Sequence, residues 1–422
     1  MTRRWQAADD RGAILVHAGL ALFTLMAFTV LVFDLGALWV GRGQAQNAAD
    51  AAALAGALSL AFDDPDDFPR AQAVAAAAGS ANLVLGATPS IVPATDVTFP
   101  TCPPGSPGLP DTCIRADVYR SAGRSNALPT FFAQIMGITS QDVRATAMAR
   151  MFAANSVECM KPWAVADKWA EHWENGAPNS GPWTPASFFD KYKLQGNKYV
   201  PDPTVLTPDV YIAPTKTDPG TGFTPFDAEG NPTSSYGLQM TLKISSSETR
   251  LSAGWFLALD LPNPDGTSGS GGADYRENIR NCNGSIFSIG QTIPTETGNM
   301  IGPTKQGVED LVAKDPSATW DAGAKAVTGS CAPGVCADGK YYPRSPRIVP
   351  VPLFSIDDYF AGAPTGKGAI TITNIMGFFI EGMGGAGNKD VIGRLVAIPG
   401  MTVGTGGVDE TATFLYTVKL VR

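Results

Sequence analysis

Few residues in this 422-residue chain have the chemistry to act on anything: six cysteines, two histidines and a scatter of carboxylates and lysines. Cys102 and Cys113 bracket "CPPGSPGLPDTC", and Cys331 and Cys336 bracket "CAPGVC". Both are Pro/Gly loops that a disulfide would staple, and elimination then pairs Cys159 with Cys282. An even cysteine count downstream of an apolar segment suits an oxidising compartment, with six reduced thiols as the alternative. With two histidines and no tight cysteine spacing, neither a zinc site nor any other metal or cofactor is expected.

Catalytic signatures are thin. His172, in "KWAEHWENG", lies between Trp169 and Trp173, a setting for packing rather than proton transfer. No G-x-S-x-G, H-E-x-x-H or G-x-x-x-x-G-K-[ST] occurs, and "GAPTGKG" is one residue short of a phosphate loop. Asp260, Asp265 and Glu277 supply carboxylates for a two-carboxylate hydrolase, but nothing selects them. "DLPNPDGTSGSGGAD" fits a calcium loop at Asn263, Asp265 and Gly266, whereas Leu261 takes the first ligand position. "DDPDD", Asp63 to Asp67, reads as a solvated corner. "GNMIGPTKQGVEDL" runs a Gly/Pro turn into a helix start where Lys305 makes a weak anion-site candidate, with a structural turn the favoured reading. A net charge of -8 without a basic cluster excludes nucleic acid as a partner.

The elements that must position these residues begin with an anchor. From Gly12 to Phe33 there is no formally charged residue. At the helical rise that run covers about 33 Å, enough for the hydrocarbon core and too long for a secretory h-region. Asp34 ends it, where a carboxylate reaches headgroups, and Trp39 follows as an interfacial anchor. Arg3, Arg4 and Arg11 precede the segment, which places residues 1–11 in the cytoplasm and the rest of the chain outside. A transmembrane helix over 12–36 in contact with lipid is therefore expected. "GRGQAQNAADAAALAGALSLAF" extends it as one helix to about residue 62, roughly 75 Å long, with a kink at Gly41 and Gly43. Gln46, Asn47 and Asp50 fall on one polar stripe, and the small alanine face suits packing against another helix, including a second copy.

"RGAILVHAGLAL", "VFDLGALWVGRGQAQNAADAAALAGA" and "FFAQIMGI…DVRATAMAR" together resemble the TadE/TadG-like proteins of Flp (tight-adherence) pilus assembly. Asp34, Leu35, Gly36, Gln46, Asn47, Ala48, Ala49 and Asp50 match that family's pattern, best over residues 11–58 and more weakly to about 155. The resemblance implies an inner-membrane component of a pilus or secretion apparatus whose partners are other Tad proteins. It resembles a TadG-related variant, since no D-x-S-x-S string of a von Willebrand A metal site occurs. A prepilin would be cut after Gly12 and carry glutamate where His17 stands, so a processed minor pseudopilin is a minority reading. An envelope-anchored hydrolase or ligand-binding protein is the other alternative; a pocket gathering Asp260, Glu277 and Lys305 would favour it.

Two exported modules follow, giving an α+β chain. Residues 63–155 read as a small α+β unit: a second Ala-rich helix in "PRAQAVAAAAGSANLVLG", a hairpin across the Cys102–Cys113 loop, and a strand in "DVRATAMARMF". In "LPTFFAQIMGI", Phe131, Phe132, Ile135 and Met136 stand at helical spacing and are expected in the core. Residues 156–422 read as mostly β with long loops. "YGLQMTLKI", "GWFLALDL", "ITITNIMGFFIEGM", "VIGRLVAIPG" and "TATFLYTVKLV" are its strands and Gly302–Asp315 its clearest helix.

Overall fold

Alanine is the best helix former and the first proline after the apolar run is Pro65, so nothing interrupts a helix before it. In the computed structural model, helix α1 (Arg11–Phe62) runs through that whole stretch without a break at Gly41 or Gly43. The structure describes residues 11–63, 67–103, 113–172, 182–196, 198–228, 231–245, 249–262, 267, 271–361 and 368–421. Asp67 opens α2 (Phe68–Ser80) by accepting the backbone N–H of Arg70 at 2.9 Å, with Pro69 in the first turn.

The first unit contributes three strands to a sheet packed on these helices: β1 (Val97–Thr98), β2 (Ile114–Arg120) and β3 (Val143–Ala153), antiparallel in that order. Alternation puts Ile114, Ala116 and Val118 of β2, with Val143, Ala145, Ala147 and Ala149 of β3, on one face. Against that face lie Ala45, Ala48, Ala49, Ala52 and Ala53 of α1, all fully buried, with Ala71 and Ala75 of α2 beside them. Small side chains on every layer bring backbones close together. At Gly79 of α2 a Cβ would stand 2.4 Å from Ile91 Cδ1 and 3.0 Å from Ala52 Cβ, so the crossing admits only hydrogen.

The second unit is a closed sheet. Its strands are β4 (Trp163–Ala166), β5 (Gln239–Ile244), β6 (Trp255–Ala258), β7 (Thr292–Pro294), β8 (Ile348–Phe354), β9 (Ala369–Gly384) and β10 (Asp390–Val396). They run in the order β7-β9-β8-β4-β6-β5-β10, and β10 pairs again with β9 to close a barrel. Sixteen residues allow β9 to serve β7, β8 and β10 in succession. Trp163, Phe256, Phe354, Phe378, Ile375 and Leu395 fill the core. Helices α3 (Gly272–Arg280) and α4 (Ile301–Val312) pack together, with Val308 and Leu311 of α4 buried as the sequence periodicity requires. The overall class is α+β, with a long N-terminal apolar helix and a mostly β C-terminal region.

The chain then returns. β11 (Ile398–Pro399) pairs parallel with β12 (Leu415–Val421), and β12 lies antiparallel to β3 from Tyr416↔Ala153 to Val421↔Met148. Hydrogen-bonded strands therefore cross the boundary expected between residues 155 and 156. Cys102–Cys113, Cys159–Cys282 and Cys331–Cys336 form disulfides, joining residues 11, 123 and 5 positions apart.

Candidate functional site

The Gln-Asn-Ala-Ala-Asp run sits where α1 leaves its apolar stretch and meets the first unit. Most described side chains of this stretch point outward: Leu15, Phe23 and Val32 are each more than half exposed. Among the described residues this is one helix long and apolar enough to cross a membrane. Over the next turns α1 is clasped. Gln44 Oε1 accepts the N–H of Leu85 at 2.6 Å, and Gln46 Nε2 donates to Asp50 Oδ1 at 2.8 Å and to the Thr146 carbonyl of β3 at 3.1 Å. A Cβ at Gly41 would lie 2.8 Å from Leu128 Cδ1, so the glycine provides close approach rather than the expected kink.

Asp34 is the strongest contact of this joint. The sequence places its carboxylate among lipid headgroups, but it is only 8% exposed and faces the protein. Its Oδ1 accepts the N–H of Phe131 at 2.7 Å, while Oδ2 accepts those of Phe132 at 3.1 Å and Ala133 at 2.6 Å. Three consecutive amides around one carboxylate make a charge-assisted clasp, an anion held in a nest of backbone N–H groups. Phe33 and Phe132 add a ring contact with centroids 5.5 Å apart. Ala48 and Ala49 are buried in the α1–sheet seam, Asn47 is exposed, and Leu35 and Gly36 face outward.

Two expectations change here. The alanine face proposed for a second copy is covered by α2, β2 and β3 of the same chain, so it offers no free surface. The "LPTFFAQIMGI" segment forms no regular helix but a single tight turn, Ala133–Met136, closed by Gly137 at φ 84°. Phe131, Phe132 and Ile135 are exposed instead of core, because Leu128 and Ala133 already fill the space beside α1, and the Met136 side chain lies outside what is described. Trp39 is exposed as expected, at 72%. Arg3 and Arg4 lie outside the described residues.

Two of the hydrolase residues are engaged locally, on separate helices. Glu277 on α3 pairs with Arg280 at 2.8 Å, and Lys305 on α4 pairs with Glu309 at 3.9 Å. Asp260 is buried with its backbone N–H on the Pro294 carbonyl. At the start of α4 the Ile301 N–H is taken by Asn299 Oδ1 at 3.1 Å, which fits the structural-turn reading of Lys305. The "GAPTGKG" motif and most of the calcium-like loop, including Asn263, Asp265 and Gly266, lie outside the described residues, and no metal-ligand cluster is found among those described.

A carboxyl cluster that the sequence reading missed flanks the barrel. Asp209 is fully buried, takes the N–H groups of His172 and Asp190 at 3.0 Å each, and neighbours Glu171. Burial first, and then the carboxyls of Asp190 and Glu171, push Asp209 up to about 7. With both oxygens committed to backbone amides, the group latches a loop rather than serving a substrate. Lys161, also buried, donates to the carbonyls of Asn278 and Asn281 at 3.1 and 2.8 Å at the end of α3, and burial lowers it to about 7. Its sequence context, "CMKPW", gives no sign of burial.

Residues 12–59 match the family of Flp pilus-assembly TadE/G-like proteins. The matched Tad-like segment begins in the apolar run, contains every motif residue from Asp34 to Asp50, and ends before α2. It comprises the span and the joint, while the barrel lies beyond the match. No curated protein and no solved structure matches the chain.

Proposed function

We propose that this chain is a membrane-anchored structural component in the assembly of a Flp (Tad) pilus or a related secretion apparatus, acting through protein–protein contacts. The N-terminus is cytoplasmic, residues 12–36 cross the inner membrane, and the two units and their disulfides stand on the far side. Other Tad proteins are its partners. The observation that carries this reading is that the matched segment is the joint itself: Asp34, Gln46 and the buried alanines hold the head to the apolar helix. Three disulfides fit an oxidising compartment.

The test is deletion in the native host, followed by complementation. Loss of surface pili with pilin still synthesised is expected, restored by the full chain. A photo-crosslinker at Leu206, 81% exposed on the head, is expected to capture another assembly component. Normal piliation in the deletion strain sinks the proposal. N-terminal mass spectrometry checks the anchor separately: a mature start at Ala13 would make the chain a processed pseudopilin.

A further inference from the structure

The turn held by Asp34 combines two properties rarely found together. Four of its side chains are apolar and exposed, Phe131 at 62%, Ile135 at 79%, and Phe132 and Ile138, while Gln134 between them donates its Nε2 to the Thr130 carbonyl. Most of its backbone N–H groups are paired within the protein. The N–H groups of residues 131, 132 and 133 go to Asp34, those of Ile135, Gly137 and Ile138 to the carbonyls of Phe132, Gln134 and Ala133, and that of Thr130 to Thr139. Exposed apolar side chains alone are a liability in water, while backbone entering lipid must have its polar groups paired.

Position supplies the occupant. Asp34 follows directly on the apolar span, so the turn sits at the level where that span ends, and Phe132 touches Phe33, the last apolar residue of the run. Exposed apolar residues of α1, Phe28, Val32 and Phe33 among them, are thus joined near the end of the run by exposed Phe131 and Ile135. We propose that the Thr130–Ile138 turn is a second membrane contact, seated in the headgroup–acyl boundary of the leaflet on the head side, with Asp34 as the positioning residue. This rests on the reading that α1 crosses the bilayer. Aromatic and aliphatic groups on a paired backbone are what partition to that depth. One helix alone leaves the head free to tilt and spin; a second contact beside it fixes the orientation in which the barrel is presented.

The experiment uses the full chain in vesicles of phosphatidylethanolamine and phosphatidylglycerol. A bimane label is attached at Ile135→Cys, at Val32→Cys in the span, or at Ile212→Cys on the head, and lipids carrying a shallow doxyl group act as quenchers. Quenching at 135 approaching that at 32, and at least about threefold that at 212, is the expected result. A label at 135 that behaves like 212 while 32 is quenched overturns the turn contact and leaves the anchor reading standing. If 32 is also unquenched, the anchor reading falls and the proposal with it. A blue-shifted label at 135 that lipid does not quench would mean protein covers the turn, and likewise overturns the proposal. Adding Asp34→Ala to Ile135→Cys is expected to lose most of the quenching with the disulfides intact; unchanged quenching overturns the positioning role.

Discussion

The carboxylate of Asp34 and the backbone nitrogen of Phe131 lie 2.7 Å apart although 97 residues separate them in the chain. One acidic side chain at the end of an apolar helix thereby fixes where a distant turn begins. Replacing Asp34 with alanine strands three amide donors, and Asp34→Asn keeps an acceptor without its charge. Hydrogen exchange at Phe131, Phe132 and Ala133 should accelerate on the order of 100-fold in the alanine variant and less in the asparagine variant, since charge-assisted bonds contribute about 1.5–3 kcal/mol each. Unchanged protection would show that the turn is held by something else.

Glycines within α1 and α2 separate packing from helix propensity. Gly79→Val forces a side chain into Ile91 and Ala52, and should cost about 1–3 kcal/mol. Gly43 has open space around its Cβ position, so Gly43→Ala should gain about 0.5–1 kcal/mol from helix propensity alone. Denaturation midpoints in detergent that move in opposite directions would bear this out.

The disulfides differ in the loops they close. In the chain-entropy account, Cys159–Cys282 restrains a loop worth about 5 kcal/mol and Cys331–Cys336 one worth about 2 kcal/mol. Serine pairs at each should rank accordingly in thermal unfolding. Equal losses would point to packing around Cys282 rather than loop closure.

Stability should depend on pH in two opposed limbs. Between about pH 4 and 7 folded Asp209 keeps a proton that the unfolded chain releases, so its contribution is lost as pH rises through that window. Above about pH 7 folded Lys161 has given up a proton that the unfolded chain keeps to about pH 10, so stability rises there. Asp209→Asn should flatten the first limb and Lys161→Met the second, read from unfolding midpoints across pH. A slope at pH 5–6 that survives Asp209→Asn would assign it elsewhere.

The long helix and α2 were readable because alanine runs and proline stops are local signals, and its expected span of about 12–62 sits beside an observed 11–62. Cysteine spacing was equally informative. What escaped was non-local or disguised. β8 carries Pro350 and Pro352, which argue against a central strand. The structure accommodates them because β8 meets β4 only at Leu353 and Phe354, downstream of both. Phe131 and Phe132 have core composition, and only the filling of nearby space by Leu128 and Ala133 turns them outward. Closure of the barrel depends on β9 meeting β10 over a register no local pattern encodes. Asp34 was legible as a boundary, whereas its partners lie too far along the chain to be seen.

β12 lies between β3 and β11, so the sheet packed on α1 takes in residues 415–421 from far along the chain. As the chain is made, α1 and the first strands come early but have no partner for the outer edge of β3 until residues 415–421 have followed. A chain cut before residue 415 therefore displays an unpaired edge on β3, open to proteases and to pairing with other chains. The fold thus ties two distant segments together: only a chain that includes residues 415–421 can cover that edge.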